Sequence, residues 1–313
     1  MDEWQSVADS HGLLSAADAR RAGLSSRDLT RLVKGEALVQ LGHGWYCLPR
    51  VLGEAQELPW ELRRRRHAAQ TWAALRAFDG RVVASHHSGL VLHGLPTFAA
   101  DLRQVHVTRV ASRQSRRRRG LTVHQSVIGA EMADGVIGVA DACMGVGCIN
   151  GSMAALIAAD AALHRHLITQ EDLEAAATRR VGPGSAAARI ASLADGAESP
   201  GETRLRHAFR LMGYAVTPQF VIEDGSFLAT VDFMLDDYGV AFEFDGFVKY
   251  GRRDPLSTHV TPADIVVAEK IREDHIRELD YGMGRVIWSE LDNLVLLRRK
   301  VERTIDSARR RSA

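Results

Sequence analysis

Thr230-Val231-Asp232-Phe233-Met234-Leu235-Asp236-Asp237-Tyr238-Gly239-Val240-Ala241-Phe242-Glu243-Phe244-Asp245-Gly246-Phe247-Val248-Lys249-Tyr250 decides how the last third of this chain folds. Val231, Phe233 and Leu235 alternate, a polar turn follows at Asp236 to Gly239, and Val240, Phe242 and Phe244 alternate again. Period-2 patterning on two adjacent runs predicts a β-hairpin. On that hairpin Asp232, Glu243 and Asp245 fall on the face opposite the aromatic and aliphatic set. Three carboxylates converging on one sheet face repel one another, so the arrangement is favoured only with a cation between them. A hard divalent ion bound through oxygens, Mg²⁺ or Mn²⁺, is the expected one.

Asp-x10-Glu-x-Asp-Gly on a hairpin resembles the metal-binding core of the PD-(D/E)XK nuclease superfamily, in particular its very-short-patch-repair-like branch. Ser199-Pro200-Gly201-Glu202-Thr203-Arg204-Leu205-Arg206 resembles the first core helix of that family, whose acid faces the site. Ala268-Glu269-Lys270-x-Arg272-Glu273-Asp274-x-x-Arg277 resembles the helix after the hairpin, and Arg285-Val286-Ile287-Trp288 the strand after that. The resemblance covers residues 199 to 300. It implies a metal-dependent DNA endonuclease in which Asp232, Glu243 and Asp245 hold Mg²⁺ (or Mn²⁺), Asp245 alternatively orienting the water. Glu202 is then a further ligand, or positions the hydrated metal. One departure stands out: the Lys expected two positions after the second acid is Asp245 here. Lys249 or Lys270 is left to bind the phosphate, with Arg272 as a further DNA contact. Two other readings of the same residues stay open: ordinary exposed strand acids, and a nuclease fold that binds without cutting.

Composition admits a chain of this kind. With 313 residues and 46% apolar content, two or three globular domains are expected. Net charge is +1, but residues 1 to 120 carry 19 Lys and Arg against 11 Asp and Glu, and the remainder 21 against 28. A basic front predicts an anionic partner, an acidic back a cation site. The three cysteines, Cys47, Cys143 and Cys148, lack paired C-x-x-C spacing, and their odd number argues against a disulfide framework. The absence of an apolar run of membrane length and of a basic-then-apolar leader points to the cytoplasm, with no membrane partner.

The first fifty residues predict helix, turn, helix and hairpin. Ser15 and Asp18 can cap a helix over 16–22, Gly23 breaks it, and Ser25 or Ser26 caps a second helix through Lys34 with Leu29, Leu32 and Val33 inward. A hairpin with a Gly42-His43-Gly44 turn follows. This is the outline of a winged helix-turn-helix, with Arg27, Arg31 and Lys34 on the second helix and His43 at the wing tip available to DNA. A small helical domain with solvated cations is the plainer alternative. From Leu13-Leu14-Ser15 through Gly42-x-Gly44-Trp45-Tyr46-x-Leu48-Pro49 the segment resembles the N-terminal domain of AbiEi-family antitoxins, transcriptional autorepressors that neutralise a cognate nucleotidyltransferase toxin. Ser85-His86-His87-Ser88-Gly89-Leu90 to Pro96, and Asp160 to Leu173, resemble that family's middle region to about residue 195.

Residues 58 to 78 read as a helix begun near Pro59. Seven arginines over Arg103 to Arg119, including Arg113, Arg116, Arg117, Arg118 and Arg119, lie between expected strands at 104–108 and 121–125. Placed on a loop, they would touch a nucleic-acid backbone and add affinity without sequence information. His86 and His87, as strand neighbours, point apart, so a metal at His86, His87 and His93 is disfavoured against structural roles. Cys143 and Cys148 read as small core residues, Gly182-Pro183-Gly184 as a turn, 196–201 as a linker, and Arg309 to Arg311 as a frayed tail.

The reading is an α/β multidomain chain: a winged helix-turn-helix over 1–50, an AbiEi-like mixed middle domain over 51–195, and a restriction-endonuclease-like α/β/α domain over 199–313. It predicts a DNA endonuclease targeted by its front domains, with homodimer formation on a palindromic site open. The alternative is a non-catalytic antitoxin and autorepressor with a toxin partner.

Overall fold

A computed structural model describes residues 6–54, 56–180, 186–246 and 262–311. The chain divides into two compact units, Met1–Gly196 and Ala197–Ala313, each of mixed α/β character. No helix among the described residues is long and apolar enough to cross a membrane.

Unit 1 begins with β1 (Leu13–Ser15), α1 (Ala16–Arg21), α2 (Ser26–Lys34), β2 (Val39–Gly42) and β3 (Trp45–Cys47). Both helices start on reciprocal caps: Ser15 accepts from the Asp18 amide while Asp18 accepts from the Ser15 amide, and Ser25 and Asp28 repeat the exchange. Each such pair satisfies two amides that a helix start leaves open. The expected hairpin is β2–β3, and β1 joins it as a third strand in the order β1-β3-β2. Leu14, Ala19, Leu29, Leu38 and Leu48 form one cluster under these elements. A second cluster, Leu13, Leu41 and Cys47, is closed by Ala69 and Ala73 of α3 (Pro59–Phe78). Arg76 of α3 donates to Asp9 and Asp18, both at 2.8 Å, and lies over the Trp45 ring.

The rest of unit 1 is built on β4 (Val82–Ala84), α4 (His86–Leu92), β5 (Val105–Arg109), β6 (Arg116–Arg118), β7 (Leu121–His124), β8 (Met132–Ala133) and β9 (Val136–Ile137). The strands make one mixed sheet, ordered β6-β7-β5-β4-β9-β8. Val82, Ala84, Val105, Val107 and Val123 face α3. The other face meets an alanine-rich bundle of α5 (Val139–Asn150), α6 (Ser152–His164), α7 (Gln170–Arg180) and α8 (Ala186–Leu193). Small side chains let these helices approach closely enough to bury Cys143.

Several expectations need correction. Arg116 to Arg118 are not a loop: they pair antiparallel with Leu121 to Val123 as an exposed edge strand. Backbone pairing sets the conformation there, and the cations guard the open edge. His86 and His87 begin helix α4 rather than lying on a strand. Cys148 is exposed while Cys143 is buried. The linker is shorter than expected, because Ser199 caps and Pro200 starts a helix. The C-terminal arginines continue a helix through Arg311. The turn at Gly182 to Gly184 lies outside the described residues.

Unit 2 runs α9 (Pro200–Met212), β10 (Thr217–Asp224), β11 (Phe227–Leu235), β12 (Val240–Asp245), α10 (Pro262–Glu278), β13 (Gly282–Ile287) and α11 (Leu294–Arg311). Its sheet is ordered β10-β11-β12-β13, antiparallel except for the β12–β13 pair. The predicted hairpin is therefore present, followed by the predicted helix and strand, with helices on both sides of the sheet. Phe233, Leu235, Val240, Phe242 and Phe244 pack with Leu205 and Phe209 of α9 and Leu297 and Val301 of α11. Ala229, Val231, Met234 and Ala241 pack with Ile276 of α10. Gly201 allows α9 its close approach, since a Cβ there would sit 1.9 Å from the Phe244 ring.

Val231 and Phe233 thus face opposite cores, not the same one as simple alternation predicts. The ladder is broken between them: pairing is recorded at Phe220–Val231 and Pro218–Phe233, and the intervening Gln219 has φ +48°. Asp232 is the residue at which the strand changes face. Such an irregularity re-aims a side chain.

Candidate functional site

The winged-helix segment presents the side chains expected of it. Arg27, Arg31 and Lys34, spaced four and three apart on α2, share one helical face, and all three are exposed. Leu29 from the opposite face is buried. Asp28 holds Arg31 at 2.6 Å, an exposed pair that a phosphate can replace. His43 is exposed in the turn between β2 and β3. Arg113 and Arg116 to Arg119 are likewise exposed, in and around edge strand β6.

In unit 2 the three hairpin acids do not meet at a common point. Asp232 Oδ2 accepts from the Phe244 amide at 2.7 Å, so this carboxylate ties the two strands where direct pairing has stopped. Glu243 faces the α10 side. It is bonded by the Arg272 guanidinium, and Arg285 lies 3.6 Å from its second oxygen. Arg272 and Arg285 both also bind Glu269. Arg285 further reaches Glu273 at 3.3 Å. Burial raises the Glu243 carboxyl's pKa, with the Arg272 bond opposing it. Burial works against the Arg272 charge, yet its bonds to Glu269 and Glu243 raise its pKa above the ordinary arginine value. Asp245 ends β12, half-buried.

Glu202 sits in the first turn of α9, buried, with Oε1 accepting from Ser199 Oγ at 2.7 Å and Oε2 from the Glu198 amide at 3.2 Å. Burial raises its pKa, and the Asp232 charge adds to that rise against the Ser199 bond. Glu202 and Asp232 are thus electrostatic neighbours, while Glu243 belongs to a separate arginine–glutamate network. Lys270 is exposed on α10, and Lys249 lies outside the described residues. Arg272 is paired with Glu243 and Glu269.

Sequence reasoning missed Arg285 as a partner of Glu243, and Glu269 and Glu273 as the carboxylates that share its guanidiniums. The parallel register places Arg285 directly beside Glu243, a fact that no local pattern carries. It missed His106 and His124 as well. These approach His86 closely, so that one ligand atom from each lies within 4.8 Å of the others. Among the described residues this is the group of His, Cys, Asp or Glu arranged to hold a metal ion. His93 is elsewhere, its Nε2 2.8 Å from the Ile137 carbonyl. The available signal was strand alternation: in Val105-His106-Val107-Thr108 and Val123-His124 the valines face α3, which sends both histidines to the other covered face.

Comparison with known proteins bears on the first of these regions. No curated protein matches the chain. Residues 5–49, spanning the capped helices and the wing, match the family of transcriptional regulators described as AbiEi antitoxin.

Proposed function

We propose that the chain is a DNA-binding regulator of the AbiEi antitoxin type, which reads DNA with α2 and the β2–β3 wing. The observation that carries this is one exposed face bearing Arg27, Arg31 and Lys34 within the segment that matches the regulator family. A helix in the major groove offers arginine to guanine edges and to phosphate, and a wing beside it adds backbone contacts. The arginines of β6 supply a second, sequence-independent cationic strip. On this reading the protein represses its own operon and neutralises a toxin encoded beside it.

Fluorescence anisotropy on the upstream DNA tests it. Arg27→Ala and Arg31→Ala should each weaken binding by about 1–3 kcal/mol if they read base edges. A triple Arg116→Ala/Arg117→Ala/Arg118→Ala variant should weaken binding to all sequences alike, and lower the salt slope by roughly 0.9 per lost phosphate contact. Unchanged affinity in all these variants would sink the proposal.

A second reading keeps a metal-dependent DNA endonuclease in unit 2. It is supported by the succession of helix, hairpin, helix and parallel strand, and by the pairing of buried Glu202 with Asp232. The donor set does not fit Mg²⁺ or Mn²⁺ held by Asp232, Glu243 and Asp245 together. Glu243 already carries guanidinium partners and Asp232 an amide. Plasmid nicking with Mg²⁺ or Mn²⁺, lost in Asp232→Ala and Glu243→Ala, would establish the nuclease. A wild type that shifts DNA but cuts none with either ion leaves unit 2 as a scaffold or partner surface.

A further inference from the structure

Five imidazoles crowd together in unit 1: His67 from α3, His86 and His87 from α4, and His106 and His124 from β5 and β7. His67, His86, His87 and His106 are 0, 3, 2 and 8% exposed. Their rings form a continuous set of contacts with His124, the His86 and His124 rings stacking at 3.8 Å between centroids. Burying polar rings without need is costly, so where their nitrogens go decides what the cluster is for.

Two of the five are fully occupied. His67 places Nδ1 2.8 Å from the Leu102 carbonyl and Nε2 2.8 Å from Ser88 Oγ. His87 places Nε2 2.8 Å from the Gln104 carbonyl and Nδ1 3.4 Å from Asn150 Oδ1. These rings are hydrogen-bonded structural histidines. The other three turn toward one another instead. His106 Nδ1 and His124 Nε2 are 2.8 Å apart, and a nitrogen of His86 completes the triangle. The His106 and His124 nitrogens share one proton in that bond; shifting it to a far ring nitrogen would free both lone pairs for an ion, with a His86 nitrogen within 4.8 Å.

We propose that His86, His106 and His124 bind a divalent transition-metal ion of the zinc type through these ring nitrogens. Three imidazoles are a donor set that such ions accept, with a fourth position left open. Tetrahedral bonds of about 2.0–2.1 Å separate ligand nitrogens by about 3.3 Å, so His106 and His124 need part only slightly. The surroundings are those of ligands held in place. Ser85 Oγ accepts from Thr108 Oγ1 at 2.8 Å and lies 2.9 Å from His86 Nδ1; its second lone pair can accept the Nδ1–H, the tautomer that leaves Nε2 unprotonated. His86 sits in the left-handed region at φ +52°, a conformation that a non-glycine residue keeps only when its surroundings impose it.

Two cations oppose another positive charge here, Arg117 acting on His106 and, on His86 and His124, Arg180. A Cβ built on Gly145 would lie 3.0 Å from Arg180 Nη2 and 3.3 Å from His86 Cδ2, so this guanidinium borders the triad. Its Nη2 donates to the Asp141 carbonyl, but its buried Nε finds no hydrogen-bond partner among the described residues. The metal's fourth ligand is therefore an anion, hydroxide or a phosphate-type oxygen, which Arg180 can hold.

The test uses the untagged full chain, stripped with EDTA and titrated with Co²⁺ alone. One equivalent should bind with the intense visible absorption of a tetrahedral, nitrogen-rich site, and Zn²⁺ should bleach it. His124→Phe, which keeps a stacking ring, should abolish the band, and His93→Gln should keep it. Ser85→Ala should weaken Co²⁺ about 10- to 100-fold. A folded wild type without the band, or a folded His124→Phe that titrates like wild type, overturns the proposal. Should the variants fail to fold, X-ray absorption of the Co²⁺-loaded wild type decides. A shell of three imidazoles supports the site, and an oxygen shell, as expected for carboxylates of unit 2, refutes it.

Discussion

Unit 1 and unit 2 each bury a cluster of titratable side chains, and they keep it tolerable in opposite ways. In unit 1 the histidines give up their charge: burial pushes His67 down to about 4, so the core holds neutral rings. In unit 2 the charges stay and are paired, with Glu243 and Glu269 set against Arg272 and Arg285. Neutral imidazoles retain lone pairs for a ligand, whereas a carboxylate already holding guanidiniums has little left to offer. The residues that looked like metal ligands in the sequence are the less free of the two sets.

Acid should break the comparison most strongly. His67 is neutral when folded and titrates near its ordinary value when unfolded, so the unfolded chain binds more protons below about pH 6.5. Unit 1 should therefore lose stability as pH falls from about 6.5 toward 4, by roughly 3 kcal/mol from His67 alone. Glu202 and Glu243, raised by burial, act in the other sense and favour the folded form as pH falls through their folded values. Peptide-resolved hydrogen exchange in EDTA should show unit 1 opening first on acidification. Equal loss in both units would remove the distinction.

Arg272→Met sharpens the comparison from the other side. It leaves Glu243 buried with Arg285 as its remaining guanidinium, and should destabilise unit 2 by about 2 kcal/mol, discounted from the full cost of breaking a buried pair because Arg285 remains. Adding Glu243→Gln should restore part of that loss in urea unfolding. A double variant no better than the single one would mean that Arg272 acts by packing alone.

The smallest effect is expected at Ser199→Ala. Loss of the α9 cap should cost about 1 kcal/mol, read as a lowered Tm. It also removes the bond that holds the Glu202 pKa down, so an NMR titration should find that carboxyl higher than in wild type. An unmoved Glu202 would show that Ser199 is a cap and nothing more.

Much of the architecture was legible because it depends on local signals. Ser15, Asp18, Ser25 and Gly23 marked the first two helices, and alternation across Asp236 to Gly239 marked the unit 2 hairpin. What escaped depends on register and on distant strands. Asp232 looked like one more outward acid, but the ladder breaks there and turns it to the Phe244 amide. Arg285 was read as part of a strand, with no hint that parallel pairing sets it beside Glu243. His86, His106 and His124 come from a helix start and two strands, 38 residues from first to last, with no motif spacing to join them.

The cluster that Leu13, Leu41 and Cys47 complete with Ala69 and Ala73, and the grip of Arg76 on Asp9 and Asp18, have a consequence for how this segment can travel between proteins. A graft ending at residue 50 would carry the three-stranded sheet away from the wall it leans on. A graft ending at Phe78 keeps that wall but bares the face of α3 that Val82, Ala84, Val105 and Val107 cover. Carried with α3, the three strands keep the wall they pack on, so a host protein inherits the angle at which α2 is presented along with the side chains it presents.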